Sequence, residues 1–147
     1  MNKPITPLVG ADTFLVNDKL QVCLIKRNDN GLWALPGGCQ NLGESPKQCA
    51  EREFAEETGF RIEVTQLLGV FSSTLYKYVT YPYKKNEFCH LLFLGRLLGG
   101  TGSASHETEA VEWFSQDTLP ELSDGHETRI RFGFQCLKDQ AKRPHFE

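Results

Sequence analysis

Three glutamates stand close together in the segment that follows a pair of glycines. Glu53, Glu56 and Glu57 are spaced i, i+3 and i+4, so they share one face of a helix. At about 6 Å and an effective dielectric near 20, each pair of these charges repels by roughly 3 kcal/mol. Arg52, four residues before Glu56, is well placed to help, but one arginine cannot balance three carboxylates. The cluster therefore favours a hard divalent cation, which prefers oxygen ligands.

The helix that carries these glutamates is predicted to run from Ser45 to Thr58. Ser45 suits the N-cap position, Pro46 suits the first helical position, and Gln48 completes a capping box. Gly59 supplies a left-handed C-terminal cap. The two caps fix where the helix starts and ends.

The loop before the helix contains Pro36-Gly37-Gly38. Because glycine has no side chain, the backbone here can approach a ligand or a metal closely, and a carbonyl could join the carboxylate ligands. A pair between Glu44 and Arg52 would hold this loop to the helix. A metal site at this place would polarise a pyrophosphate, neutralise the leaving group and lower the pKa of an attacking water.

Acidic helical faces are common, and three glutamates alone would indicate a solvated surface. The complete pattern is more specific: from Gly38 to Phe60 it resembles the Nudix box at every charged and glycine position. It departs from that box in having Phe54 and Phe60 at sites that usually carry aliphatic residues, although both remain apolar.

The resemblance extends over most of the chain. The segment from Trp33 to Gly38 resembles the entry to the box in these proteins. Three later segments are similar to the C-terminal part of the family: Glu107-Thr108, Glu112-Trp113-Phe114 and Leu119-Pro120-Glu121-Leu122. The stretch from Tyr76 to Lys85 has no counterpart.

This resemblance implies a metal-dependent hydrolase. By position, Glu53, Glu56 and Glu57 would bind Mg²⁺ or Mn²⁺, and the Gly37 carbonyl would complete the ligand shell. The implied substrate is a small-molecule nucleotide, a nucleoside diphosphate linked to another moiety, in which water attacks a phosphorus atom.

The resemblance also implies a general base. Glu53 is one candidate, with Arg52 orienting it. The family often uses another glutamate from a later loop, for which Glu107 is the first candidate and Glu109 the second.

The substrate is less defined than the chemistry. The C-terminal segments look closest to bacterial ADP-ribose pyrophosphatases, which favours ADP-ribose or a nucleoside triphosphate. Tyr76 lies where the ADP-ribose group often has a proline, and this resembles dinucleoside polyphosphate hydrolases instead. A non-catalytic Nudix-fold regulator that binds a nucleotide is a further alternative. The full set of box glutamates favours an enzyme.

Two further candidates for substrate binding have ordinary alternatives. Arg27 precedes the turn that leads to the box and could contact a phosphate, or it could be a solvated residue at a strand end. Tyr76 and its neighbours up to Lys85 could stack a base and steer phosphates, or they could form a plain surface hairpin. Both alternatives stay open.

Strand-like segments surround the box. Val9 to Val16 and Gln21 to Lys26 are predicted to form a hairpin around Asn17-Asp18-Lys19. Three more strands are predicted: Arg61 to Val70, Glu87 to Leu98 and Ala110 to Phe114. The resulting fold is α/β, an α/β/α sandwich with a mixed sheet between helices, formed as a single domain over residues 1–147.

A second helix is predicted near the end of the chain. Ser123 or Asp124 would cap it, and its apolar stripe consists of Ile130, Gly133, Phe134 and Leu137. Other side chains are assigned ordinary roles: Trp33, Trp113 and His90 in the core, His106 in a loop, His126 at a helix start, and Cys39 as a passive thiol.

The composition narrows the remaining function classes. The 147 residues include 16 basic and 19 acidic side chains, for a net charge of −3. No broad positive field is available, so nucleic acid is not expected as a partner. The most apolar run, Leu91 to Leu98, is too short to span a membrane. Five scattered cysteines without a C-x-x-C pair favour reduced thiols and a cytoplasmic protein. Dimers are common in the family, and the sequence leaves a homodimer open.

Overall fold

The computed structural model describes residues 6–75, 86–139 and 144–147. In these ranges the chain forms two α-helices and seven strands, which are β1 (Leu8–Phe14), β2 (Val22–Arg27), β3 (Trp33–Ala34), β4 (Gly37–Cys39), α1 (Pro46–Thr58), β5 (Phe60–Ser72), β6 (Phe88–Gly100), β7 (Thr108–Phe114) and α2 (His126–Lys138). Short 3-10 turns occupy Ser73–Leu75 and Gln116–Thr118. The predicted strands are present with slightly different ends. The stretch from Tyr76 to Lys85 lies outside the described residues.

The strands form two sheets. The first is mixed, with the order β4-β1-β6-β5, and within it β1 and β6 are parallel while the other pairs are antiparallel. The second is antiparallel, with the order β3-β2-β7. The predicted α/β class and mixed sheet are confirmed, with the strands shared between two sheets.

One apolar core lies on each side of β1. Ala11 and Leu15 belong to the core that contains Phe54 of α1, whereas Phe14 belongs to the core that contains Ile130 of α2. Because successive side chains of a strand point to opposite faces, β1 contributes to both cores. The helices therefore cover opposite sides, which is the predicted α/β/α arrangement.

The turn at Asn17 forms as predicted, and the predicted hairpin is present only next to this turn. The Asn17 carbonyl accepts a hydrogen bond from the Leu20 N–H at 3.0 Å, and Leu20 has a positive φ of 57°. Next to the turn, Asn17 donates its N–H to the Gln21 carbonyl at 3.0 Å, Cys23 donates its N–H to the Leu15 carbonyl at 2.9 Å, and Val16 forms a bridge with Val22. Farther from the turn, β1 and β2 enter different sheets. The reason is that β4 and β6 occupy both edges of β1, which leaves no edge for β2.

Helix α1 has the predicted caps. The Ser45 hydroxyl accepts a hydrogen bond from the Gln48 N–H at 3.1 Å, and the Gln48 side chain accepts one from the Ser45 N–H at 2.8 Å. Pro46 is the first helical residue. Gly59 ends the helix with a φ of 76° and donates its N–H to the Ala55 carbonyl. This helix is set almost entirely by local sequence.

Helix α2 begins later than predicted. Gly125 is its N-cap, with a φ of 80°, and no side chain caps the helix. The prediction of Ser123 or Asp124 as the cap is therefore wrong. Ser123 instead donates its N–H to the Trp33 carbonyl at 2.7 Å, which ties the start of α2 to the β3 side of the fold.

The predicted apolar stripe of α2 is largely confirmed. Ile130, Gly133 and Phe134 are buried, while Leu137 is 37% exposed. A Cβ added to Gly133 would collide with the ring of Phe14, so glycine allows the helix to approach β1 closely. Neither helix in the described ranges has the length and apolar composition that crossing a bilayer requires.

Candidate active site

A pocket of about 490 Å³ is lined by residues from both helices and four strands. Its lining includes five of the predicted site residues: Arg27, Gly37, Glu53, Glu57 and Glu107. Arg52 and Glu56 lie outside the lining. Tyr76 is not among the described residues. The fold thus brings Glu53, Glu57, Glu107 and Arg27 to a single cavity, but not Glu56.

Glu57 is the most deeply placed of the three helix glutamates. It is 7% exposed, and its Oε1 accepts a hydrogen bond from the Gly37 N–H at 2.8 Å. Burial raises the pKa of Glu57 well above its usual range, and the nearby carboxylates of Glu53 and Asp12 add to that shift. Among the described residues Glu57 forms no ion pair, so a cation bound beside it would favour its charged form.

Glu53 lies on the pocket wall beside the glycines. Its Oε1 is 2.9 Å from the Arg52 guanidinium. Burial raises the pKa of Glu53, Arg52 opposes this rise, and Glu56 and Glu107 reinforce it. A Cβ added to Gly38 would collide with the Glu53 carboxylate, so the carboxylate occupies the space that a side chain would need.

Arg52 connects the loop to the acidic face of α1. Its Nε and Nη2 atoms donate to the two oxygens of Glu44 at 2.9 and 2.8 Å, which confirms the predicted pair. Its Nη1 atom contacts Glu53 at 2.9 Å and Glu56 at 3.2 Å. The hydrogen bonds from Arg52 are the main reason that the pKa of Glu44 falls to about 2. One guanidinium therefore holds three carboxylates in place.

Glu56 lies at the rim of the acidic face. Its side chain is 56% exposed and contacts Arg52. In the ranges that the structure describes, no three acidic, histidine or cysteine side chains converge closely enough to hold a metal ion. Helical spacing alone did not reveal that Glu53 and Glu57 face the pocket while Glu56 remains outside it.

The other predicted site residues differ in their position. Arg27 lines the pocket and forms a two-point ion pair with Asp29, at 2.6 and 2.8 Å. Glu107 also lines the pocket, on an exposed loop. Glu109 lies outside the lining and pairs with Lys26 at 3.5 Å. Of the two loop glutamates, Glu107 is the one at the cavity.

The same pocket contains four buried polar residues that were not predicted as site residues, namely Asp12, His90, His126 and Arg129. We call these four residues the buried polar cluster. The Nε atom of Arg129 lies 3.0 Å from Oδ2 of Asp12. His126 is at the start of a helix, as predicted, and His90 is buried in a strand, as predicted, but both also face this cavity.

Both histidines of the buried polar cluster are uncharged at neutral pH. Burial lowers the pKa of His126 well below its usual range and lowers that of His90 to about 3. The Nδ1 atom of His126 accepts a hydrogen bond from the Leu35 N–H at 3.1 Å, so its proton is on Nε2. The ring of His90 stacks on Phe88, with centroids 5.1 Å apart.

One sequence signal could have identified part of this cluster. Arg129 stands four residues before Gly133, and His126 four residues before Ile130, so both share a face with the apolar stripe of α2. A charged residue at a buried position of such a stripe is unusual and needs a partner. The partner, Asp12, is far away in the sequence, and nothing local indicates it.

The thiol of Cys39 at the site fits the prediction that it is passive. Cys39 lines the pocket and is exposed. Partial burial and the neighbouring carboxylates of Glu53 and Asp12 raise its pKa. Because the thiolate is the reactive form, Cys39 is a poor nucleophile here.

The fold is an α/β/α sandwich, and its pocket is lined by glutamates of α1 and by the glycines of β4. This is the class of protein that the Nudix-box resemblance implies. Residues 6–133 match the NUDIX domain family model. The chain belongs to the Nudix family.

Three relatives support this assignment. A MutT-like protein of Streptomyces ambofaciens is 36% identical over 107 residues, which are 73% of this chain and 63% of that protein. A putative 8-oxo-dGTP diphosphatase of Bacillus subtilis is 36% identical over 112 residues, covering 76% and 68% of the two chains. An ADP-ribose pyrophosphatase of Methanocaldococcus jannaschii is 33% identical over 130 residues, covering 85% and 72%.

Solved structures are similar over the whole fold. A UDP-X diphosphatase superposes with a TM-score of 0.86 at 27% identity, covering 99% of this chain and 70% of that one. An ADP-ribose pyrophosphatase of Streptococcus suis superposes with a TM-score of 0.82 at 26% identity, covering 97% and 100%. These proteins are named for different nucleotide substrates, so their likeness does not single out one substrate.

Proposed function

We propose that this protein is a metal-dependent pyrophosphohydrolase that cleaves a phosphoanhydride bond in a nucleoside diphosphate derivative. The observation that carries the proposal is the pair of carboxylates, Glu53 and Glu57, that line one pocket beside the glycines of β4. Both are held in an environment that disfavours their charge. A bound cation would offset that unfavourable burial.

The donor atoms fit Mg²⁺ or Mn²⁺. Every candidate ligand is an oxygen, from the carboxylates of Glu53, Glu56 and Glu57 and from the Gly37 carbonyl, and hard divalent cations prefer such ligands. The Gly37 peptide already contacts Glu57 through its N–H. When bound, the cation would polarise the phosphoanhydride and lower the pKa of the attacking water. Glu56 would complete the set from the rim.

Two arginines have separate roles in the proposal. Arg52 is a positioning residue, because its fixed fork holds Glu44, Glu53 and Glu56 at once. Arg27 lines the pocket at its exposed side and would bind a phosphate oxygen of the substrate in exchange for part of its ion pair with Asp29, whose side chain is 48% exposed.

The reaction needs an acceptor for one proton. The water oxygen forms a bond to phosphorus, the bridging P–O bond breaks, and the proton of the water passes to a carboxylate. Glu53 and Glu107 both line the pocket and are the two candidates for this base. Arg52 fixes Glu53, whereas Glu107 is 64% exposed. Separate Glu53→Gln and Glu107→Gln variants would distinguish them, because the base is the one whose loss removes the acidic limb of the pH–rate profile.

The substrate class follows from the relatives. Their names include ADP-ribose, 8-oxo-dGTP and UDP-X, which are all nucleotides with a phosphoanhydride bond. ADP-ribose and nucleoside triphosphates are therefore the first compounds to test, followed by dinucleoside polyphosphates, CDP-alcohols and nucleotide sugars.

The test is turnover of this panel with Mg²⁺ or Mn²⁺ and with a chelator. We expect metal-dependent release of a nucleoside monophosphate or of pyrophosphate. Glu57→Gln should lower kcat/KM by more than about 100-fold, because even residues that only support metal ligands are worth 10- to 100-fold. The matched control is Glu51→Gln, on the same helix but outside the pocket, where the residue accepts a hydrogen bond from the Val64 N–H.

Two outcomes would contradict the proposal in different ways. Full turnover by Glu57→Gln would remove this carboxylate from the metal site. Absence of turnover with every compound, together with retained tight binding of a nucleotide, would favour a non-catalytic binding module.

A further inference from the structure

The proposed hydrolysis leaves the buried polar cluster without a role. Asp12 comes from β1, His90 from β6, and His126 and Arg129 from α2, and all four are at most 6% exposed. They line the same cavity as the carboxylates. Polar groups are costly to bury, so four of them around one cavity call for an explanation beyond packing.

Arg129 is the member with unmet hydrogen-bonding capacity. Its side chain is 1% exposed, and its Nε atom lies 3.0 Å from Oδ2 of Asp12. Its Nε and Nη1 atoms are buried, and in the described part of the chain neither has a partner with hydrogen-bond geometry, so the contact of Nε with Asp12 is an ion pair. A guanidinium has five N–H donors and no acceptor, so a bound acceptor is what this position lacks. Because Arg129 lines the pocket, that acceptor can come from the ligand.

The charge balance favours a neutral acceptor over a phosphate. The Asp12 carboxylate already neutralises Arg129. The two histidines of the cluster add no positive charge, since burial disfavours their protonated forms. A phosphate placed here would meet the Asp12 carboxylate without a free compensating cation from the cluster. A carbonyl oxygen accepts from a guanidinium without adding charge.

In a nucleotide, the base is the part that carries such a carbonyl. A 6-oxopurine or a uracil has an exocyclic carbonyl oxygen, whereas adenine has an amino group at the corresponding position. That amino group would place a donor against the donors of Arg129, and arginine indeed pairs with the carbonyl edge of guanine in nucleic acids. The ring of His90 stacks on Phe88 in the lining of the same cavity, and it packs so closely on Gly10 that a Cβ there would lie 3.0 Å from Nδ1 of His90.

We propose that Arg129 selects the base of the substrate by donating a hydrogen bond to an exocyclic carbonyl oxygen. Nucleotides with a 6-oxopurine or a uracil are then preferred over their adenine counterparts. This inference rests on the proposed function, because it concerns the same pocket. It separates this chain from those relatives that are named for ADP-ribose.

The first test compares two substrates that differ only in the purine base, at the group on C6 and at the proton on N1. These are inosine diphosphate ribose and ADP-ribose, each assayed with Mg²⁺ and the unmodified protein. We expect kcat/KM to be roughly 10- to 100-fold higher for the inosine compound, which is the discrimination that a well-placed arginine pair provides. Equal values, or a preference for adenine, would overturn the inference.

The second test uses Arg129→Lys. Lysine keeps a positive charge beside Asp12 but loses the planar fork of donors. The variant should lose most of the base preference, with a larger fall for the inosine compound than for ADP-ribose. If Arg129 were only structural, both substrates would fall by the same factor and the preference would stay. Should the variant fail to fold, the comparison with the unmodified protein still decides.

A binding measurement separates this inference from the hydrolase proposal. Calorimetric titration of the unmodified protein with IMP and with AMP, both without metal, reports the base preference alone. Tighter binding of IMP with no turnover of any substrate would support the base selection and contradict the hydrolase. Turnover of both substrates with equal binding of IMP and AMP would support the hydrolase and contradict the base selection.

Discussion

Two neighbouring parts of the pocket, the acidic end on α1 and the buried end formed by the buried polar cluster, are built in opposite ways, and they meet where Asp12 pairs in register with Gly37. The acidic end comes from one continuous segment, Gly38 to Phe60, and its charged groups reach solvent at the rim. The buried polar cluster comes from β1, β6 and α2, and its residues are almost completely buried. The glutamates that resemble the Nudix box thus come from one segment of the sequence. The proposed selection of the base instead depends on residues that are distant from one another in the sequence.

The electrostatics of the two ends differ as well. At the acidic end one guanidinium, Arg52, serves three carboxylates, so negative charge remains. In the buried polar cluster Arg129 pairs with Asp12, and burial keeps both histidines uncharged. An unbalanced acidic end suits cations, and a balanced, dry end suits neutral groups with hydrogen-bond acceptors. The comparison predicts that mutations at the buried end mainly lower stability, whereas mutations at the acidic end mainly lower turnover.

The largest expected effect on stability is at the buried end. Arg129→Met should lower the free energy of unfolding by about 3 to 5 kcal/mol, because it leaves the Asp12 carboxylate buried without its partner. The double variant Asp12→Asn/Arg129→Met should recover much of this loss, since neither charge remains. Urea denaturation of the three proteins measures the difference. Equal losses in the single and the double variant would show that the ion pair is not the cause.

The same variant has a defined pH dependence. Burial already raises the pKa of Asp12, and Arg129 is the main group that opposes this rise. Without Arg129 the folded protein would bind the Asp12 proton still more tightly than the unfolded chain does. A raised folded-state pKa gives stability that is lost as pH rises, so the deficit of Arg129→Met should shrink as the pH is lowered.

The next effect is on turnover, at the acidic end. Arg52→Lys should lower kcat/KM by roughly 10- to 100-fold, the usual loss for a residue that orients metal ligands. Lysine cannot donate to both oxygens of Glu44 and also hold Glu53, as the fork of Arg52 does. The free energy of unfolding should change by about 1 kcal/mol or less, because these contacts lie near the surface. Steady-state kinetics and urea denaturation give both values.

A matched control exists on β6. Arg96 pairs with Glu63 at 3.1 Å and is exposed, away from the pocket. Arg96→Lys should leave both turnover and stability near those of the unmodified protein. If Arg52→Lys reduced stability strongly and left turnover unchanged, the assignment of Arg52 as a positioning residue would be wrong.

The local end of the pocket could be predicted from sequence because its signals are local. Ser45, Gln48 and Gly59 set both ends of α1, and the Glu44–Arg52 pair follows from loop and helix spacing. The limit of this reasoning is visible at Glu56, which shares a helical face with Glu53 and Glu57 but lies at the rim. Spacing gives the face, and only packing against β4 decides which carboxylates enter the cavity.

The other end could not be predicted in the same way. The Asp12–Arg129 contact joins the first described strand to the last described helix, and neither segment contains a sign of the other. The expected hairpin between β1 and β2 extends only a few residues from its turn for a related reason, because the edges of β1 are taken by β4 and by the distant β6. The start of α2 was missed because the Ser123 hydroxyl accepts a tertiary hydrogen bond from the Asn30 side chain at 3.2 Å instead of capping the helix.

A further effect, small for each step in pH, should appear as acid sensitivity. Burial lowers the pKa of His126 and of His90, so the unfolded chain binds protons that the folded protein does not. Lowered folded-state pKa values give stability that is lost as pH falls, here below the ordinary value of 6.5 and, for His90, down to about 3. Each histidine should remove about 1.4 kcal/mol of unfolding free energy per pH unit in that window.

The variant His126→Asn isolates one of these two contributions. Asparagine can accept the hydrogen bond from the Leu35 N–H that His126 accepts at 3.1 Å, but it does not titrate. The slope of unfolding free energy against pH should therefore be shallower in the variant between pH 6.5 and pH 5. Identical slopes would mean that His126 is not held uncharged by burial.

The smallest effect tests whether the two ends are independent. Ser45→Ala removes the cap that accepts the Gln48 N–H at 3.1 Å and should cost about 1 kcal/mol of unfolding free energy. Ser45→Gly should cost only a few tenths of a kcal/mol of unfolding free energy, because glycine is tolerated at the N-cap position. The contacts of the Ser45 cap are with Gln48 and not with the buried polar cluster. The ratio of kcat/KM for inosine diphosphate ribose to kcat/KM for ADP-ribose should therefore stay unchanged in both variants. A changed ratio would mean that the position of α1 also affects base selection. The acidic end and the buried end of the pocket would then not act independently.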